Sequence, residues 1–174
     1  MTETPEVEAV LKRMRVPSHD RLLVLGCFER PATLYMHQVR ALNLIYALRE
    51  TSLPPETTLA VVGAGGAGVT AAAAAILGWR VSIFDRLGGN VLAFAGADTS
   101  KRWLHPHIYE WPEDGKDRSD AGLCIMDWRE GPASDVIPGL RRQWARARDR
   151  YSIERSRFGP SSSMFTKCHC RVCS

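Results

Sequence analysis

Six consecutive residues, Gly63-Ala64-Gly65-Gly66-Ala67-Gly68, fit the pattern G-x-G-x-x-G, and each glycine of that pattern answers a separate physical need. Gly63 lets the chain turn sharply out of a strand. Gly65 has no side chain to hold a pyrophosphate away from the main chain, and Gly68 lets a following helix pack closely on a sheet. A helix opening here directs unpaired N–H groups and the positive end of its dipole at the turn, which stabilises a diphosphate and gives a neutral ligand little. Asp85 lies 22 positions beyond Gly63. At that spacing a carboxylate accepts hydrogen bonds from ribose hydroxyls. It also repels a 2′-phosphate, so a dinucleotide without one is favoured over NADP, with the neighbouring Arg86 as the residue that would offset the repulsion.

Such a turn needs a strand before it and a helix after it. Thr58-Leu-Ala-Val-Val62 reads as a buried strand, Gly66 to Leu77 as an alanine-rich helix, and Arg80-Val-Ser-Ile-Phe-Asp85 as a further strand. Strand, helix and strand within about thirty residues make a βαβ crossover and a parallel sheet. The 23 uncharged positions between Glu56 and Arg80 would be long enough to span a bilayer. Five glycines interrupt them, four clustered where a tight turn needs them, so the stretch reads as two elements and a turn.

Ahead of the motif the pattern predicts a short amphipathic helix from Pro5 to Arg15, a break at Pro17-Ser18, a strand buried on both faces at Arg21 to Cys27, and a helix from Leu34 to Glu50. The N-terminal strand is expected to add an edge beside the βαβ unit. Beyond the motif, Gly88 to Ala121 reads as loop, Gly122-Leu-Cys-Ile-Met126 as a fourth strand, Val136 to Arg157 as a helix, and Gly159-Pro160-Ser-Ser-Ser163 as a linker into an unstructured end. The expected organisation is a helix–strand–helix extension over 1–56, an FAD/NAD-binding Rossmann-like domain over 57–158, and a disordered Ser/Cys tail over 159–174.

Two stretches, Leu59-Ala-Val-Val-Gly-Ala-Gly-Gly-Ala-Gly-Val-Thr-Ala-Ala and Val81-Ser-Ile-Phe-Asp-Arg-Leu-Gly-Gly-Asn90, resemble the N-terminal FAD-binding segment of amine-oxidase-like FAD-dependent oxidoreductases. The resemblance covers about Thr57 to Pro112. It implies an α/β, Rossmann-like parallel sheet with flanking helices, incomplete relative to full two-domain flavoproteins. It also implies FAD, with Gly63, Gly65 and Gly68 at the pyrophosphate, Asp85 at the adenosine ribose and Gly88 and Gly89 shaping the loop over the phosphates; Ala64, Gly66, Ala67 and Arg86 complete the expected cofactor-binding set. Asp85 stands where such flavoproteins mostly carry glutamate, so an NAD-binding dehydrogenase domain is the alternative. A noncatalytic nucleotide-binding remnant is the third reading. A substrate domain would come from a continuation of the chain or from a partner chain. Over a shorter stretch, Gly88-Gly89-Asn90 with Pro106-His107-Ile108-Tyr109 is similar to UDP-galactopyranose mutases, which implies His107 near the flavin. The alternative for 103–111 is a loop folding its aromatics onto the sheet.

The remaining features exclude other classes. The 174 residues, 45% hydrophobic and 24% charged, have the composition of an ordinary globular domain. The net charge of +4 is uneven: Arg141 to Ser174 holds nine basic residues against two acidic ones. The Arg run reads as a solvated helix, since no helix-turn-helix or finger pattern supplies base readers. Cys168, His169, Cys170 and Cys173 are too crowded for an unstrained tetrahedral zinc site. Cys27 and Cys124 lie in apolar runs, where a thiol behaves as a small hydrophobe. No G-x-S-x-G, H-E-x-x-H or G-K-[ST] sequence supports a hydrolase or NTPase. Three glutamates and no basic residue in the first ten positions do not make a targeting segment, so a cytoplasmic protein without membrane or nucleic-acid partners is expected.

Overall fold

The computed structural model describes residues 4–26, 32–51, 53–54, 56–76, 78–86, 91–92, 101–110 and 117–158, with the side chains of 151–158 excepted. Over these residues the protein is mixed α/β. Helix α1 (Pro5–Met14) leads into strands β1 (Arg15–Val16) and β2 (His19–Leu23), and helix α2 (Leu34–Glu50) follows. Strand β3 (Thr58–Val62), helix α3 (Gly66–Ala75) and strand β4 (Arg80–Phe84) come next, then β5 (Trp103–Leu104), β6 (Gly131–Pro132) and helix α4 (Ala133–Phe158).

The βαβ unit forms as its pattern predicts. β3 and β4 pair in parallel, with Thr58 opposite Arg80 and Val62 opposite Phe84. Leu59, Val61, Val81 and Ile83 point to the helical side and pack into the cores there. The expectation of strands buried on both faces does not hold, because the alternate positions are open: Val62 is 85% and Phe84 57% exposed. Among the described residues the parallel sheet has two strands, and two further two-stranded sheets, β1–β2 and β5–β6, are antiparallel.

Two expected strands differ. Over its described residues, 21–26, the apolar run expected at Arg21 to Cys27 does not join the βαβ sheet. Ser18 adopts φ 66 and turns the chain back, so that β2 pairs with β1 as a hairpin whose residues are mostly exposed. At Gly122 to Met126 no strand forms. Gly122 (φ 65) and Met126 (φ 56) both take left-handed backbone, and an extended run cannot pass through two such kinks. Leu123 and Met126 are nevertheless buried, while Cys124 is exposed rather than interior. The long interval after Gly88 contains β5, which pairs with β6 where Trp103 faces Pro132. Cys27 and the 159–174 tail, with Cys168, Cys170 and Cys173, lie outside the described residues.

The helices share their cores with the sheet. Ala41 and Ile45 of α2 pack on Ala71 and Ala75 of α3 and on Trp79, so the packing runs across residue 56 without a break. The alanines of α3 let the two helices approach closely, and Val7, Leu11 and Met14 of α1 close the far side of α2 against Leu44 and Ala47. A larger cluster joins α3 to Leu123, Met126 and Trp128 and to Val136, Ile137, Leu140 and Trp144 of α4.

One buried polar pair ties α2 to the kinked 121–128 segment. Gln38, 1% exposed, donates from Nε2 to the Met126 carbonyl at 2.9 Å and accepts at Oε1 from the Trp128 indole at 2.7 Å. The first of these bonds satisfies a backbone carbonyl that a strand would have paired, and the second satisfies the buried indole. Gln38→Leu leaves two buried groups unpaired at about 1–3 kcal/mol each. Urea denaturation should therefore show a loss of at least about 2 kcal/mol, and a change under about 0.5 kcal/mol would refute this account.

Candidate functional site

The chain leaves β3 at Val62 and reaches α3 through three residues. Gly63 has φ 97, a conformation that side chains rarely adopt, and its N–H donates to the Phe84 carbonyl at 2.8 Å. Ala64, 3% exposed, is held from both sides: its N–H donates to Asp85 Oδ2 at 2.8 Å, and its carbonyl accepts from the Leu92 N–H at 2.7 Å. Gly65 is the N-cap of α3, with extended backbone and no capping side chain.

The glycines fall into distinct physical classes. A Cβ on Gly68 would overlap the Gly63 carbonyl oxygen, a backbone atom that cannot swing aside. A Cβ on Gly66 would press on the end of the Leu34 side chain, at the start of α2. At Gly65 the φ of −78 is open to any residue, and nothing lies within 4 Å of where a Cβ would be. The protein itself explains glycine at 63 and 68; it does not explain glycine at 65.

The first turn of α3 contains no acidic residue. Val69 donates to the Gly65 carbonyl, while among the described residues no group accepts from the N–H of Gly66, Ala67 or Gly68. These are three of the donors that every helix leaves open at its start, and here they face the exposed Gly65 with the positive helix end behind them. A multivalent oxyanion is the ligand such an arrangement stabilises.

Asp85 follows β4 and is half-buried. Its carboxylate therefore has a duty that the spacing alone does not reveal, since Oδ2 anchors the turn through Ala64. Arg86 is exposed at the next position. Gly88 and Gly89 lie outside the described residues.

His107 is 5% exposed and is held on every side. Nδ1 lies 3.1 Å from Glu110 Oε2, Nε2 lies 3.1 Å from the Asp120 carbonyl, and Tyr35 meets the ring edge-on with centroids 4.7 Å apart. With both nitrogens engaged, His107 brackets the 105–110 turn to residue 120 and to the start of α2. Trp103 and Tyr109 do not fold inward as the alternative reading of this loop expects: they are 61% and 60% exposed, and Trp111 lies outside the described residues. Beside the bracket, the Arg118 guanidinium donates to Asp120 at 2.9 Å and holds that carboxyl below its ordinary value of 3.8. The same bond holds the Arg118 guanidinium above its ordinary value.

Sequence reasoning missed two participants at the turn, Leu92 and Arg141. Arg141 donates from Nε to the Val91 carbonyl at 2.9 Å and from Nη2 to the Leu92 carbonyl at 3.3 Å. Fifty positions separate Val91 from Arg141, so no local pattern could have joined them. Among the described residues no group of three His, Cys, Asp or Glu side chains could hold a metal ion, and no helix is long and apolar enough to cross a membrane. A groove elsewhere, between α1, the hairpin and the end of α2, is lined by Leu11, Lys12, Arg15, Leu23, Leu48 and Leu53 and shares no residue with the turn.

No family model matches the chain, and neither a curated protein nor a solved structure does. The functional reading therefore rests on the geometry of the turn.

Two outcomes follow from this geometry. Gly68→Ala gains about 1 kcal/mol of helix propensity but must push α3 off the Gly63 carbonyl, and overpacking of that kind costs about 1–3 kcal/mol. The variant should lower the urea midpoint, and an unchanged or raised midpoint would count against the close approach. For the Asp120 pair, a lowered carboxyl value means that its stabilising contribution is present above the ordinary 3.8 and is lost as pH falls through the lower folded value. Thermal unfolding across the acid range should show a shallower acid decline for Asp120→Asn than for the parent; identical declines would remove the pair from the account.

Proposed function

We propose that the turn at 63–68 binds the diphosphate of FAD, and that the βαβ unit is the centre of a Rossmann-like FAD-binding domain of an FAD-dependent oxidoreductase. The observation that carries this reading is Gly65, a glycine with ordinary backbone angles and open space where its side chain would be. A ligand lying against the main chain accounts for it; nothing in the protein does. The unpartnered amides of Gly66, Ala67 and Gly68 give that ligand its sign and multiplicity.

The residues present fit such a group. Gly65 leaves the cradle that a Cβ would fill, the three amides donate to phosphate oxygens, and Asp85 stands where β4 ends, within a hydrogen bond of the turn, as an acceptor for ribose hydroxyls. The flavin supplies the redox chemistry when bound, passing a hydride or an electron pair. The chain's part is to bind and orient the cofactor, and no catalytic acid or base is assigned within it. His107, with both nitrogens held by protein groups, serves the architecture of the loop in this reading.

NAD is the second reading, favoured by the identity of Asp85, since the shorter acid is common where NAD is the ligand. Both cofactors carry the same diphosphate, so the turn accommodates either.

Titration of the full chain separates these readings. FAD should bind with quenching of flavin fluorescence and give a coloured complex, and Gly65→Val should weaken binding by at least about a hundredfold, the roughly 2.7 kcal/mol that two decades represent. Binding of NAD but not FAD selects the dehydrogenase reading. Binding of FAD by Gly65→Val as tightly as by the parent would remove the site from this turn.

A further inference from the structure

We infer that Arg141 of α4 is a positioning residue for the glycine turn, holding the 91–92 strip that in turn holds the Ala64 carbonyl. The linkage is a short chain of hydrogen bonds with no side chain of the turn in it. The Leu92 N–H fixes the Ala64 carbonyl, and the guanidinium spans the Val91 and Leu92 carbonyls with two donors. The fork of Arg is rigid and planar, so two neighbouring carbonyls set its orientation as well as its distance.

Leu92 needs such a restraint. It has φ 55, a left-handed conformation that is unusual for leucine, and residues held there cost of order 1–3 kcal/mol. Its side chain is 2% exposed within the main core, which secures one end of the residue. Arg141 secures the other by binding the carbonyls on both sides of the Leu92 N–H. Without it the peptide is free to rotate out of the left-handed region, the N–H leaves the Ala64 carbonyl, and the turn is held from the Asp85 side alone.

Arg141 is also suited to this work by what it does not do. It is exposed, and among the described residues no carboxylate pairs with it, so its donors are committed to the strip. Its consequence for ligand affinity rests on the dinucleotide reading above, whereas its hold on the turn does not.

The test uses the full chain without ligand, then with it. Amide hydrogen exchange is measured residue by residue in the parent, Arg141→Ala and Arg141→Lys. In both variants the Leu92, Ala64 and Gly63 amides should exchange about tenfold faster, the scale of one lost hydrogen bond, while the amides of α1 and α2 stay within about twofold. Lysine keeps the charge but presents one ammonium, so it should not restore the protection, and full restoration by lysine would refute the fork. Unchanged exchange at 63, 64 and 92, or equally faster exchange throughout α1 and α2, would likewise overturn the positioning role. With FAD added, affinity should fall about tenfold in Arg141→Ala, and unchanged affinity would overturn the effect on the site. If the parent binds neither FAD nor NAD, the dinucleotide reading fails while the exchange result still decides the role of Arg141.

Discussion

The constraint on which the rest of the structure depends is the contact between the start of α3 and the turn that feeds it. The Gly63 carbonyl occupies the space a side chain at 68 would need, so the helix lies against the end of its own strand. That proximity sets the direction in which the first amides of α3 emerge. It also requires Gly63 to hold a left-handed conformation, which the bond from its N–H to Phe84 secures by tying the turn to the neighbouring strand. The parallel pairing of β3 with β4 is thus part of the turn's own support, and Asp85, one residue beyond β4, continues the same line of attachment to Ala64.

How far the sequence discloses this arrangement depends on the range of the forces involved. The short apolar runs at Thr58–Val62 and Arg80–Phe84 and the alanine run after Gly66 are local signals, and those elements form where expected, with the strands open on one face. The helix at Leu34–Glu50 is equally legible, because Thr33 caps it by accepting from the Met36 N–H and its apolar stripe has helical spacing. The failures lie where an apolar run is buried without being extended. Leu123 and Met126 satisfy a strand pattern by type, but side chains take the backbone groups that a sheet would otherwise have paired: Gln38, from 88 positions away, donates to the Met126 carbonyl, and Asp127 accepts from the Leu123 N–H. At Leu22 to Leu25 the run is short, and the turn at Ser18 diverts it into a hairpin before it can reach the sheet.

At the site the division is similar. The glycine pattern and the acid after the second strand are visible as spacing, because the distance from Gly63 to Asp85 is set by one helix and two short connections. The support from Leu92 and Arg141 is invisible for the opposite reason: it crosses from the glycine turn to a helix more than seventy positions later, through two backbone carbonyls that carry no residue signature. His107 shows the converse hazard. Its neighbourhood in the chain suggests chemistry, whereas in space each ring nitrogen already lies 3.1 Å from a protein oxygen.

The start of α2 offers a contrast to the start of α3. α2 begins with a threonine whose hydroxyl satisfies one of its open amides, and such a cap contributes about 0.5–2 kcal/mol. α3 has no capping side chain: its cap is Gly65, which falls short of a serine or threonine by only about a few tenths of a kcal/mol, and no acidic side chain stands in its first turn. It can do without because seven of its ten residues are buried, so its stability comes from packing rather than from its ends. A serine at 65 would meet no steric obstacle in the protein and would add a cap. The sequence instead keeps the bare residue at the one place where a side-chain oxygen would occupy the amides. That helix end is fixed in place from two sides, by the bonds from Phe84 and Asp85 and by the bond from Leu92 of the 91–92 strip, while its own first amides carry no side-chain cap.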